Sequence, residues 1–191
     1  MRIISGSLKG KSINFKKNTT TRPLKDSVKE NIFNILKHSN LIDIEIKNSN
    51  VLDLYSGFGS FGIECISRGA NEVIFIDRDI NVINILKENL TKLAIIDKSK
   101  IFNNTINSNQ ILRIKKKINI FFLDPPFANF DYIHSLEVIK KNNIFEKKNV
   151  VIIHREKNTN EDYKSFINIL EIKNYGRSKI IFGRFNWESV L

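Results

Sequence analysis

The sequence predicts an α/β fold built on a mostly parallel sheet of seven strands, with helices on both faces and an antiparallel last strand. Three observations carry this. From residue 50 onward, short apolar runs alternate with helix-length amphipathic stretches. The first run leads directly into a turn holding Gly57, Gly59 and Gly62, as a strand does where it hands over to a helix. The tail then offers two adjacent strand-like runs about Tyr175-Gly176-Arg177, the pattern of a hairpin.

The elements follow in order. Met1 to Phe15 alternates weakly and contains Gly6 and Gly10, which predicts a short hairpin carrying Arg2, Lys9 and Lys11. Lys16 to Thr21 is polar and reads as a loop. Asp26 to Lys37 sets Val28, Ile32, Phe33, Ile35 and Leu36 at helical spacing. Val51 to Leu54 is the first core strand, Ser60 to Ser67 a helix, Glu72 to Ile76 a strand and Asn81 to Leu93 a helix with an apolar face. Strands are expected at Lys100 to Phe102 and Ile118 to Leu123, a helix near Tyr132 to Lys140, and a fifth strand at Val150 to Ile153. The closing pair lies near Leu170 to Tyr175 and Lys179 to Phe185. The chain divides into an extension of hairpin and helix, residues 1–49, and a main domain, residues 50–191.

A chain of 191 residues suits one domain with a small appendage and can bury a sizeable core. The formal net charge of +11 favours a polyanionic partner such as nucleic acid. A bias toward Ile, Asn and Lys accounts for many lysines, but not for the shortage of acids to balance them. Cys65 is the only cysteine, which excludes an intrachain disulfide and fits a reducing compartment. No apolar run reaches the length of a membrane span and no secretory signal opens the chain, so a cytoplasmic protein without a membrane partner is expected. His38, His134 and His154 are scattered, and no His/Cys cluster predicts a metal.

The glycine turn satisfies G-x-G-x-x-G, and Asp77 stands at the end of the next strand, a spacing compatible with a dinucleotide. Asp53 argues for a different ligand. A carboxylate there would repel a pyrophosphate at the helix N-terminus and attract a cation instead. S-adenosylmethionine has no phosphate and carries an ammonium and a sulfonium. The glycines would let its methionine portion lie against the backbone, and Asp77 would accept from both ribose hydroxyls. Ser56 and Arg78 adjoin these residues, and Asn104 and Thr105, after the third strand, would lie beside the adenine.

Asp124-Pro125-Pro126-Phe127 follows the apolar run Ile118 to Leu123. Two consecutive prolines make a stiff turn whose carbonyls can point into a pocket. An acid before that turn and an aromatic after it form a corner for a flat ring bearing an NH2 group. These four residues are the catalytic candidates, and methylation of an exocyclic base nitrogen is the chemistry they suit. Asp53, Asp77 and Asp124 all stand at predicted strand ends, where ligands of such sheets bind.

With both motifs in view, the chain resembles the class I S-adenosylmethionine-dependent methyltransferases, which have a Rossmann-like fold, and more narrowly the RsmD family of 16S rRNA (guanine-N2)-methyltransferases. The resemblance rests on Arg2-Ile3-Ile4-Ser5-Gly6, Lys9-Gly10-Lys11, Thr21-Arg22-Pro23, Asp26, Lys29-Glu30 and Phe33-Asn34. It continues through Asp53 to Glu64, Ser67-Arg68-Gly69-Ala70 and Phe122 to Phe127. Order and spacing agree from residue 2 to about residue 130. It implies methyl transfer to the N2 of a guanine in small-subunit ribosomal RNA or an assembly particle; the sequence leaves the oligomeric state open, with a monomer plausible. It also implies that Arg22 and Pro23 help close the cofactor pocket and that Arg2, Lys9 and Lys11 contact RNA. Phe58 stands where the family usually has a small hydroxyl residue, Asp77 replaces a more usual Glu, and Asn104-Thr105 lacks the acid many relatives place near the adenine.

The runner-up is a DNA adenine-N6 methyltransferase, although the chain has little room for a domain that reads DNA sequence. A non-catalytic RNA-binding relative would not need Asp53 and Asp124, and a dehydrogenase is more distant still. A carbon-methylating route would require a cysteine nucleophile, and Cys65, on the helix after the glycine turn, reads as a small core residue.

Overall fold

The computed structural model describes residues 1–16, 24–105 and 113–186. Its elements are α1 (Asp26–His38), β1 (Asn50–Leu54), α2 (Ser60–Ser67), β2 (Glu72–Asp77), α3 (Ile80–Lys92), a short 3-10 turn (Ile96–Lys98), β3 (Ser99–Asn103), β4 (Ile118–Leu123), α4 (Tyr132–Lys141), β5 (Phe145–Glu156), β6 (Asn168–Tyr175) and β7 (Ser178–Arg184). The strands form one sheet in the order β3-β2-β1-β4-β5-β7-β6. Strands β1 to β5 pair in parallel, and β7 pairs antiparallel with both β5 and β6. So β7 alone opposes the other six strands, which is the Rossmann-like arrangement the sequence predicts.

The core lies on both faces of the sheet, and the period of two decides which residue faces which layer. Val51, Val73, Phe75, Ile120, Phe122 and Ile152 pack with α1, α2, α3 and the amino-terminal segment. Leu52, Leu54, Ile74, Phe121, Leu123 and Ile153 pack with α4. Phe61 on α2 stacks between Phe33 of α1 and Phe122 of the sheet, with ring centroids 5.1 and 4.0 Å away. This stack fixes α1 and α2 relative to β4.

Strands β1, β2, β3 and β6 run one or two residues beyond their predicted bounds, and β5 departs much further. Strand β5 runs for twelve residues rather than the four of Val150 to Ile153. Its start is hidden in the sequence because the pairing jumps from Ile118 with Phe145 to Ile120 with Val150, leaving polar residues 146–149 outside the regular ladder. Its end continues through His154, Arg155 and Glu156, which pair with Ile180, Lys179 and Ser178.

The amino-terminal residues form the expected small hairpin. Arg2 bridges Ser12, and across the hairpin Ile3 donates its N–H to the Lys11 carbonyl and accepts from the Gly10 N–H. Gly6 has φ of +84°, and a Cβ there would meet the Ser67 carbonyl oxygen at 1.9 Å. That close approach seats the hairpin tip on the carboxyl end of α2. Ile3, Leu8 and Ile13 join the same core as α1 and α2.

Glu64, in α2, holds the hairpin. It is fully buried, and its two oxygens accept from the Ile4 and Ser5 N–H groups at 2.8 and 2.9 Å and from Arg68 Nε at 2.9 Å. Lys29 Nζ, also fully buried, stands 3.9 Å away and donates to the Arg2 carbonyl and Ser60 Oγ. Burial pushes the Lys29 amine down, while Glu64 and Asp26 pull it up. Removing one member of such a group strands the other charge. Glu64→Ala is expected to lower unfolding stability by about 3–5 kcal/mol, read from the urea midpoint, and to free the amino-terminal amides to hydrogen exchange.

Candidate active site

The parallel register brings the predicted residues into one row. Leu54 of β1 is paired with Ile76 of β2 and with Leu123 of β4. The next residues, Tyr55, Asp77 and Asp124, therefore leave the sheet side by side. Asp77 is level with Asn103, and Ile153 is level with Leu123, so His154 follows beside Asp124. Strand order reverses between β1 and β4, which opens a crevice at the carboxyl ends of these strands.

Tyr55 begins the turn after β1 with φ of 58°, followed by Gly57 at 54° and Gly59 at 85°. These left-handed positions fold the chain back over the end of β1 before α2 starts. The φ of 85° at Gly59 strains any other residue, and a Cβ there would also push against the Leu86 side chain of α3, 2.4 Å away. Asp77 braces this turn. Its Oδ2 accepts from the Gly57 N–H at 2.8 Å and its Oδ1 from the Asp79 N–H at 3.0 Å. Each carboxylate oxygen retains a further acceptor position.

Asp53 sits within β1, level with Phe75 and Phe122 and so two register steps below that row, and is 1% exposed. Its Oδ2 accepts from the Gly62 N–H at 2.9 Å, while its Oδ1 and the neighbouring Ser56 Oγ are buried without a protein partner among the described residues. Burial pushes the Asp53 carboxyl well above its ordinary value, and the charges of Asp124 and Asp77 add to this against the Gly62 bond. The three acids thus share one electrostatic environment. A cation brought to Oδ1 would offset the cost of the buried charge.

A cavity of about 310 Å³ opens beside Asp77. Asp77, Arg78, Asn104 and Thr105, all named from the sequence, line one side of it. Tyr55, Asn129, Asp131, His134 and Ser135 line the other. This second wall is not legible in the sequence, because it depends on α4 packing against the end of β1. Asn104 is held by its N–H donating to the Asp77 carbonyl at 2.9 Å.

The Asp124 corner adjoins the cavity through Leu54, whose carbonyl accepts from the Asp124 N–H. His154 Nδ1 lies 2.8 Å from Asp124 Oδ1, and its ring meets Phe127 edge-on at 5.5 Å. Arg155, fully buried, donates from its two terminal nitrogens to the carbonyls of Pro126 and Phe127 at 3.2 and 2.9 Å. Sequence reasoning passed over both residues. The available signal was an apolar strand running out into His-Arg at the same edge as Asp124.

Other predicted residues lie elsewhere. Arg22 and Pro23 fall outside the described residues. Arg2, Lys9 and Lys11 are exposed on the amino-terminal hairpin. Its tip bonds to Ser67, so Lys9 stands at the far end of α2 from the glycine turn, about 12 Å by helix rise. Phe58 is buried, with Phe15 against its ring at 6.5 Å. The buried amide of Asn89 exchanges two bonds with the Asn14 backbone and donates to the Phe58 carbonyl at 3.3 Å.

Residues 1–184 match the family described as "Conserved hypothetical protein 95". The chain belongs to the RsmD family of methyltransferases. It is 33% identical over 159 residues to "Putative rRNA methyltransferase YlbH" of Bacillus subtilis (strain 168), covering 82% of this chain and 83% of that protein. It is 32% identical over 155 residues to "Ribosomal RNA small subunit methyltransferase D" of Buchnera aphidicola subsp. Acyrthosiphon pisum, covering 81% and 78%. The fold matches the solved structure "Putative methyltransferase yhhF from Escherichia coli" with a TM-score of 0.80 at 22% identity, covering 98% and 99%.

The raised Asp53 carboxyl gives this family member a pH signature. The folded protein keeps that proton longer than the unfolded chain, so stability falls as pH rises from the ordinary value of 3.8 toward the raised folded value. Below that range both states are protonated and the penalty disappears. Asp53→Asn is expected to gain stability on wild type as pH climbs above about 3.8 and to lose the advantage below it. Urea melts at stepped pH read this directly, and an advantage that grows on acidification would reverse the sign.

Proposed function

We propose that this protein methylates the exocyclic N2 of a guanine in small-subunit ribosomal RNA, using S-adenosylmethionine. The observation that carries the reading is the Asp124-Pro125-Pro126-Phe127 corner standing beside a cavity whose far wall is Asp77 and Asn104. The names of the relatives support ribosomal RNA as the substrate class.

The residues present fit the cofactor. Asp77 has acceptor positions left for the ribose hydroxyls, and Arg78, Asn104 and Thr105 would flank the adenine. The turn through Ser56, Gly57 and Gly59 would take the methionine portion, with the unpartnered Asp53 Oδ1 and Ser56 Oγ nearby. The cavity is of small-ligand size, which begins at about 300 Å³. Arg22 and Pro23 would close the pocket from the chain's amino-terminal side. When bound, S-adenosylmethionine supplies an electrophilic methyl group on sulfur.

The chain's own residues do the rest by positioning. A target guanine must leave its stack to reach the corner. Phe127 would stack on it, worth about 1–3 kcal/mol. Asp124 and the Pro125 carbonyl would accept the two N2 hydrogens. Acceptors in fixed directions draw the nitrogen lone pair out of conjugation with the ring and aim it into the pocket. The carboxylate also offsets positive charge that develops on that nitrogen. Arg2, Lys9 and Lys11 would contact RNA phosphates away from the reacting base, making affinity fall steeply with salt.

Asp124→Ala is expected to abolish labelled methyl transfer to small-subunit particles while calorimetry still shows cofactor binding. Mass spectrometry of ribosomal RNA from cells lacking the protein should miss one N2-methylguanine. Transfer to duplex DNA adenine in preference to the particles would instead select the adenine-N6 activity.

A further inference from the structure

We propose that His154 and Arg155 are paired positioning residues for the Asp124-to-Phe127 turn. They take up its competing acceptors, so that one Asp124 oxygen and the Pro125 carbonyl are left to face the two hydrogens of the target amine. The inference rests on the reading above that the substrate is an exocyclic amine.

The two residues are consecutive on β5, which lies beside β4 with Ile153 level with Leu123. His154 takes the acid. An ionised carboxylate only accepts, so Nδ1 carries the hydrogen in the 2.8 Å contact with Asp124 Oδ1. The second oxygen, Oδ2, meets no donor among the described residues. The same imidazole stands edge-on to the Phe127 ring at an interplanar angle of 77°. One side chain thereby limits the rotation of both the acid and the aromatic.

Arg155 takes the carbonyls. Its fork reaches Pro126 and Phe127 at once, and the Asn129 N–H also bonds to the Pro126 carbonyl. The Pro125 carbonyl accepts no bond from the described residues. Arg155 is itself held from behind. Its Nε donates to Glu161 Oε1 at 2.7 Å, and its guanidinium lies 4.6 Å from the Tyr132 ring centroid. Burial would raise the Glu161 carboxyl, but the nearby Thr159 hydroxyl, the bond from Arg155 and the charges of Arg155 and Lys179 hold it below its ordinary range. The Tyr132 hydroxyl in turn meets that of Tyr163 at 2.5 Å. A lysine cannot satisfy two carbonyls and a carboxylate with one planar fork.

Without this pair the corner would present too many acceptors. Asp124 would turn freely, and the carbonyls of Pro126 and Phe127 would compete for the amine hydrogens. The amine would still bind, but its lone pair would point in several directions. Loss is therefore expected in turnover rather than in binding.

The test uses the full-length protein, small-subunit particles lacking the methyl group and labelled S-adenosylmethionine. His154→Leu is expected to lower kcat by about ten- to a hundredfold, with cofactor affinity and the KM for particles near wild type. His154→Asn keeps a donor near the Nδ1 position and is expected to recover most of the rate. Arg155→Lys should show the same split, with kcat reduced and cofactor affinity retained. Wild-type kcat in His154→Leu overturns the proposal. So does a loss confined to melting temperature and cofactor binding, with kcat per binding-competent molecule unchanged, because that marks packing alone. If Arg155→Lys does not fold, the comparison of His154→Leu with His154→Asn decides the matter. If wild type transfers no methyl group to a base amine, the underlying reading has failed, and this inference falls with it.

Discussion

The site depends on the register of β1 against its two parallel neighbours. Leu54 is level with both Ile76 and Leu123, and that single alignment places Asp77 and Asp124 on either side of Tyr55. A slip of one residue in either pairing would turn the affected acid to the opposite face. The register is secured by burial on both sides of the sheet: Phe75 and Phe122 lock into one layer, Ile76 and Leu123 into the other. The chemistry of the crevice is thus a by-product of how strands with two apolar faces must pair.

The acids at that edge differ by environment rather than by type. Asp77 lies at the surface of the crevice and its oxygens brace two backbone N–H groups of neighbouring turns. Asp124 is partly open and paired with an imidazole. Asp53 is enclosed, with one oxygen committed to the start of α2 and the other unmatched. Glu64, on the same helix, is enclosed too, yet all its neighbours are donors, so it serves as a fastening point for the amino-terminal hairpin. A buried carboxylate with complete partners holds structure together, while one left incomplete is available to a ligand.

Much of this was legible in the sequence because the signals were local. The alternation of apolar runs marks six of the seven strands closely, and the glycine turn and the Asp-Pro-Pro-Phe turn mark two of the strand ends. Strand β5 was under-read because its first third is charged and irregular in pairing, so its period of two is broken at 146–149. His154 and Arg155 escape the sequence for a different reason: their meaning comes from lying beside Asp124 in space, thirty residues away in the chain. The placement of Lys9 was also out of reach. Nothing in its neighbours says that Gly6 will seat against Ser67 and carry the tip away from the crevice. The position of Asp53 relative to the glycines is local and so legible in the sequence, whereas its enclosure within β1 is set by packing around it.

Asn89 has a consequence of its own. This one amide, wholly enclosed in α3, grips the strand leading out of the amino-terminal hairpin and the carbonyl of Phe58 together. Phe15 leaning on Phe58 doubles the link. The segment leaving the hairpin and the turn that carries Phe58 are thereby tied to one another through a single buried side chain of α3. An exchange of Asn89 for an apolar residue would leave the Asn14 amide and carbonyl without that partner.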